Sequence, residues 1–117
     1  MIEIPVFQDQ SADFTQNIDL DEINVTIRLI YNIRNEFFHM NLSTENFNIE
    51  GIKVIKNFPL LFTHKALFPE LKGDFIIRKI SETIQVEDFT YDNFGIFWSL
   101  FYLSETELNE WKTLYGI

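Results

Sequence analysis

Asn24-Val25-Thr26-Ile27-Arg28-Leu29-Ile30-Tyr31-Asn32, linked through Ile33-Arg34-Asn35-Glu36 to Phe37-Phe38-His39-Met40-Asn41-Leu42, is the stretch that decides the fold. Side chains two apart on a strand share a face, so Val25, Ile27, Leu29 and Tyr31 line one surface. Phe38, Met40 and Leu42 repeat the pattern, and the short polar link between the runs predicts an antiparallel pair. A small β-rich domain follows from this stretch before any function does.

Working outward, Ile2 to Phe7 reads as a first strand with Ile2, Ile4 and Val6 on one face. Pro5 has no N–H to give a ladder, which places that strand at an edge or a bulge. Gln8 to Asp13 is polar and turn-like. Phe14 to Leu20 alternates again, with Gln16 the exception, and Asp21-Glu22 connects it to a long strand from Ile23 to Ile33. Downstream, Ser43-Thr44-Glu45-Asn46 is a turn. Phe47 to Ile55 offers two short strands hinged at Gly51, which takes positive φ without steric cost. Asn57 to Pro69 obeys neither period and is too apolar for a solvated loop; it is expected to cross the end of the sheet, with a helical turn from Pro59. Gly73 leads a strand over Asp74 to Ile80, and Ile84-Gln85-Val86 reads as a brief strand. Ile96 to Leu103 is the last strand. Trp98, Leu100 and Tyr102 point one way and Phe97, Phe101 and Leu103 the other, so it calls for cover on both faces, from another layer or a partner chain.

The period then changes. Ser104-Glu105-Thr106-Glu107 is a capping box, with Leu103 and Leu108 placed as a hydrophobic staple. Leu108, Trp111, Leu114 and Tyr115 fall on one helical stripe, and Gly116 ends it. A helix this short does not persist alone, so its stripe must dock. The whole is expected to be one mainly β domain over residues 1–117, a small antiparallel barrel or sandwich-like fold with a short C-terminal helix.

At 117 residues, a domain buries roughly 65% of its unfolded surface. Thirteen Phe, four Tyr and two Trp are more large apolar side chains than such a core readily holds, which leaves some for a contact surface. A net charge of −9 repels phosphate backbones and argues against nucleic acid as a partner. Cysteine is absent, excluding disulfides and thiol catalysis. The acidic start lacks the basic region of a signal peptide, and no apolar run is long enough to span a membrane. Asn24-Val25-Thr26 and Asn41-Leu42-Ser43 fit the glycosylation pattern, but without a secretion signal they read as polar strand positions.

No constellation of catalytic or metal-binding groups stands out, and no cofactor is implied. His39 and His64 are the two histidines, each without the three or four convergent ligands that a zinc site needs. Asp9, Asp13, Asp19, Asp21 and Glu22 form an acidic series without the glycine turn of a calcium loop; a solvated face is the simpler reading. Glu105, Glu107 and Glu110 sit early in a helix, where acids complement the dipole.

Asn24 to Leu42, Gly51-Ile52-Lys53-Val54, Leu71-Lys72-Gly73-Asp74-Phe75 and Phe94-Gly95-Ile96-Phe97-Trp98-Ser99-Leu100-Phe101-Tyr102, after the opening Ile2-Glu3-Ile4-Pro5, follow one another in an order and spacing that resemble the small baseplate plug proteins of contractile-tailed bacteriophages. The resemblance covers residues 2 to 103. It implies a non-enzymatic component of the virion tail baseplate, present in the host cytoplasm during assembly. Its implied position is near the hub and tube, with hub, tail-tube or spike proteins as partners and self-association a further option. The helix from Ser104 to Tyr115 fits that pattern least. On this reading Phe97, Trp98, Phe101, Leu108 and Trp111 are candidate interface residues, Gly51 and Gly73 structural turns, and Ser104 and Glu107 the helix cap. The alternative is a stand-alone β binding module, such as a carbohydrate binder, marked by an exposed Trp98 or Tyr102 flanked by acids in a groove. A small hydrolase built on His64 and an acid is a third reading, requiring the two within hydrogen-bond reach in a cleft.

Overall fold

The computed structural model describes residues 1–4, 13–62 and 71–116. Among these residues, seven strands and one α-helix follow in order: β1 (Ile2–Ile4), β2 (Asp13–Leu20), β3 (Ile23–Asn32), β4 (Phe37–Ser43), β5 (Asn48–Lys53), β6 (Asp74–Lys79), β7 (Trp98–Leu103) and α1 (Glu105–Leu114). They form two antiparallel sheets, a four-stranded meander β2-β3-β4-β5 and a three-stranded sheet β1-β7-β6. The fold is therefore mainly β and sandwich-like; the sheets do not close into a barrel.

The opening hairpin forms as its alternation requires. Ile27 lies opposite Leu42, Leu29 opposite Met40 and Tyr31 opposite Phe38. All of these but half-buried Tyr31 are buried, so the inward residues of one strand pair with those of the next. On the outer face Arg28 forms an ion pair with Asp13, 2.5 Å apart. Asn17 and Asn24 bond each other's amide groups across β2 and β3. This is the solvated side of a half-buried sheet.

The β2–β3 turn is a two-residue reversal at Asp21 and Glu22, closed by the Leu20–Ile23 pair. Both residues take positive φ, 50° and 66°, as the type I′ hairpin turn requires. Neither is the Asn or Gly that adopts this conformation most cheaply.

Residues 48–53 form one strand and not two. Met40 pairs with Ile52 but Leu42 pairs with Ile49, so β5 uses one more residue than β4 between the same rungs. The extra residue makes a β-bulge. Gly51 sits in it at φ 74° and donates its N–H to Asn41 Oδ1 at 2.9 Å. The bulge returns both Ile49 and Ile52 to the core although they are three apart. Gly51 thus kinks a continuous strand where a reversal was expected.

In the smaller sheet, Phe75 opposes Tyr102 and Ile77 opposes Leu100, and these side chains join the inward face of the meander in one core with Ile4 and Trp98. The opposite face of β6 and β7 carries Ile76, Phe101 and Leu103, covered by Leu108 and Trp111 of α1. Both apolar faces of β7 are therefore covered within the chain. Each fully buried Leu, Ile or Phe contributes about 1.5–3 kcal/mol. Beside β6, Asn57 and Leu60 donate their N–H groups to the Ile77 and Phe75 carbonyls, each at 2.8 Å. Asp74 Oδ1 accepts from Leu61 N at 2.8 Å. Residues 57–62 thus run along β6, with a turn from Pro59 to Phe62.

Several strand limits shift from expectation. Ile84 to Val86 is not a strand; it belongs to an irregular stretch pinned by Trp98 Nε1 donating to the Val86 carbonyl at 3.1 Å. Asn93 holds the next part, its side chain bonding Asp88 O and Thr90 N. Only Leu108 and Trp111 of the helical stripe dock; Leu114 and Tyr115 project outward. The expectations for Pro5, Val6, Phe7, the 8–12 turn and His64 lie outside the described residues.

Candidate protein interface

Of the five residues expected at an interface, Trp98 and Leu108 are buried within the chain, at 1% and 3% exposure. Trp98 packs near Phe89, with Lys56 Nζ 5.5 Å and Lys79 Nζ 5.9 Å from its ring. Phe101 and Trp111 are half-buried beneath and within α1. Phe97 is 39% exposed. The sequence brings Phe97 to the surface because it precedes β7, where the alternation has not yet been captured by the sheet.

Phe97 does not stand alone. Its carbonyl accepts the Ile80 N–H at 2.8 Å, which brings the end of β6 beside the start of β7. Ile80, at that joint, and Ile96, the next residue in the chain, are exposed as well. These exposed apolar side chains make the end of the small sheet a candidate contact surface. The sequence reads Ile80 as the last residue of a strand; β6 ends one residue earlier, at Lys79, and the bond from Ile80 to Phe97 brings the two together.

The helix cap has the reciprocal geometry its pattern implies. Ser104 Oγ accepts from Glu107 N at 3.3 Å, and Glu107 Oε1 accepts from Ser104 N at 3.1 Å. Glu107 Oε2 also pairs with the Met1 ammonium. That ammonium, with help from the Ser104 amide, holds the Glu107 carboxyl below the usual carboxylate range. One side chain thus joins the start of α1 to the edge strand β1.

Gly73 answers to a different need from Gly51. A Cβ built there would lie 2.0 Å from the Leu103 carbonyl oxygen and 2.5 Å from Tyr102 Cζ and Oη. The space is taken by the Tyr102 hydroxyl, which accepts from Gly73 N at 3.0 Å and donates to Asp21 Oδ2. Burial pushes the Tyr102 phenol well above its ordinary pKa, and the bond to Asp21 adds to this. The hydroxyl therefore stays protonated and ties the small sheet to the β2–β3 turn.

Two surface clefts lie on the meander side of the fold. One, of about 480 Å³, is lined by Tyr31, Val54, Ile55, Phe89 and Tyr91. Another, of about 500 Å³, lies between the β2–β3 and β4–β5 turns with Glu22, Asn24 and Glu45 on its wall. His39 stands on the outer face of β4, edge-on to Phe37 at 4.6 Å. Trp98 and Tyr102, whose exposure in an acidic groove would have marked a carbohydrate site, are both 1% exposed and face the core.

Comparison with curated proteins gives no match. Comparison with family models matches residues 1–105 to the family described as cyanophage baseplate Pam3 plug gp18. The match spans β1 to β7 and ends where α1 begins. The chain belongs to this phage baseplate plug family.

Proposed function

We propose that this chain closes or bridges the central hub and tube region of a contractile-tail baseplate, without catalysis, through protein–protein contacts. The observation that carries the reading is the family match through all seven strands. Membership makes the chain a baseplate component of the virion tail, in contact with other baseplate or tail proteins. The finer assignment is to hub, tail-tube or spike proteins, with assembly in the host cytoplasm. Exposed Phe97, with Ile80 and Ile96 near it, supplies the apolar contact such a role requires, and half-buried Phe101 beneath α1 and Trp111 within it are secondary contacts.

Co-expression with the proteins encoded beside it, followed by size-exclusion chromatography, tests the assignment. A stable complex with a hub or tube protein, weakened by Phe97→Ser, is the expected outcome. Elution as an isolated monomer from every combination would count against it.

A further inference from the structure

We infer that α1 and residues 58–62 form a second docking surface, an aromatic row that takes a lysine- or arginine-bearing segment of a neighbouring baseplate protein. The inference rests on the plug reading for the identity of that neighbour. The row is continuous. Phe62 and Phe58 meet at 5.5 Å, Phe58 and Trp111 at 5.9 Å, and Trp111 and Tyr115 at 4.8 Å between ring centroids. It is also open: Phe62 is 38% and Tyr115 62% exposed, with Leu114 beside them at 77%.

Charge selects the occupant. Aromatic faces attract cations through their quadrupole, and one cation already uses the row: Lys112 Nζ lies 5.8 Å from the Phe62 ring centre. Lys112 is the only basic residue of α1, against Glu105, Glu107 and Glu110. Glu110 is exposed and precedes Leu114 by one helical turn, at the flank of the row. A chain of net charge −9 adds a field of the same sign. A second copy would bring like charge against like, whereas a segment interleaving Lys or Arg with apolar residues satisfies rings and carboxylates together. The row depends on Trp111 and Tyr115, which follow the family-matched residues 1–105.

The test uses the full chain and two labelled peptides of about ten residues, one alternating Arg with Leu and one alternating Glu with Leu, followed by fluorescence anisotropy. The Arg peptide is expected to bind, more weakly as salt rises, and the Glu peptide not to bind. Tyr115→Ser and Phe62→Ser, both at exposed positions, each weaken binding by about tenfold, and thermal melts confirm that they fold. Phe97→Ser leaves peptide binding unchanged. Equal binding of both peptides, indifference to Tyr115→Ser and Phe62→Ser, or a dimer that Tyr115→Ser dissolves would overturn the inference. A complex with hub or tube proteins that ignores both row variants overturns the row and leaves the plug reading standing. Loss of every such complex with peptide binding intact counts against the plug reading instead.

Discussion

Replacing Gly73 by Ala probes the tightest joint in the fold. The added methyl carbon would sit 2.0 Å from the Leu103 carbonyl oxygen and 2.5 Å from two atoms of Tyr102. Leu103 pairs with Asp74 in the β6–β7 ladder, so its carbonyl cannot retreat by the ångström or more required without disturbing the sheet. Overpacking of this kind costs about 1–3 kcal/mol. Displacing the Tyr102 ring also breaks the Gly73 N–H bond to its hydroxyl and strains its bond to Asp21, for about 1–2 kcal/mol more. The sum, about 2–5 kcal/mol, is a large part of the 5–15 kcal/mol that roughly bounds a domain's stability. The assay is urea unfolding followed by fluorescence of Trp98 and Trp111, with Gly51→Ala as the control. Gly51 has no atom within 4 Å of its would-be Cβ but a φ of +74°, so its variant should lose only about 1 kcal/mol. A Gly73→Ala protein as stable as Gly51→Ala would refute the steric argument.

Tyr102→Phe should lower stability by about 1–3 kcal/mol, because one hydroxyl serves both the Gly73 amide and the Asp21 carboxylate; chemical denaturation reads it. Glu22→Gly should raise the melting temperature, gaining about 0.5–1 kcal/mol, since Glu22 holds φ 66° at a turn position glycine prefers. The Glu107 carboxyl has a lowered pKa in the folded chain. Its contribution is therefore fully present above the ordinary carboxylate value and is lost as pH falls through the folded one. Glu107→Gln should flatten that part of the acid unfolding curve, measured by circular dichroism between about pH 5 and 2.

Local pattern sufficed wherever one face of an element is buried by its own period. The β3–β4 hairpin is legible because Ile27, Leu29, Met40 and Leu42 leave one solution for its register, and α1 because Ser104 and Glu107 form a reciprocal cap. The division into two sheets was not legible, since β1 pairs with β7 across nearly the whole chain. Nor was the β5 bulge: Ile49 and Ile52 break the period of two, and the residue that repairs it, Gly51, equally suits a reversal. At the candidate interface, the aromatic alternation of β7 identified surface-capable side chains without saying which face the sheet would claim. Trp98 went inward because the meander covers that side, and Leu108 because Ile76 and Leu103 needed a lid. Phe62 and Tyr115 joined in one row only through the path of residues 57–62 along β6, which no spacing encodes.

Electron cryo-microscopy of assembled tails tests the central claim most directly. Density for the two-sheet fold at the central end of the baseplate, in contact with hub or tube subunits, is the predicted result. Tails whose central density is fully accounted for by other proteins, with this chain absent or confined to the periphery, would contradict it.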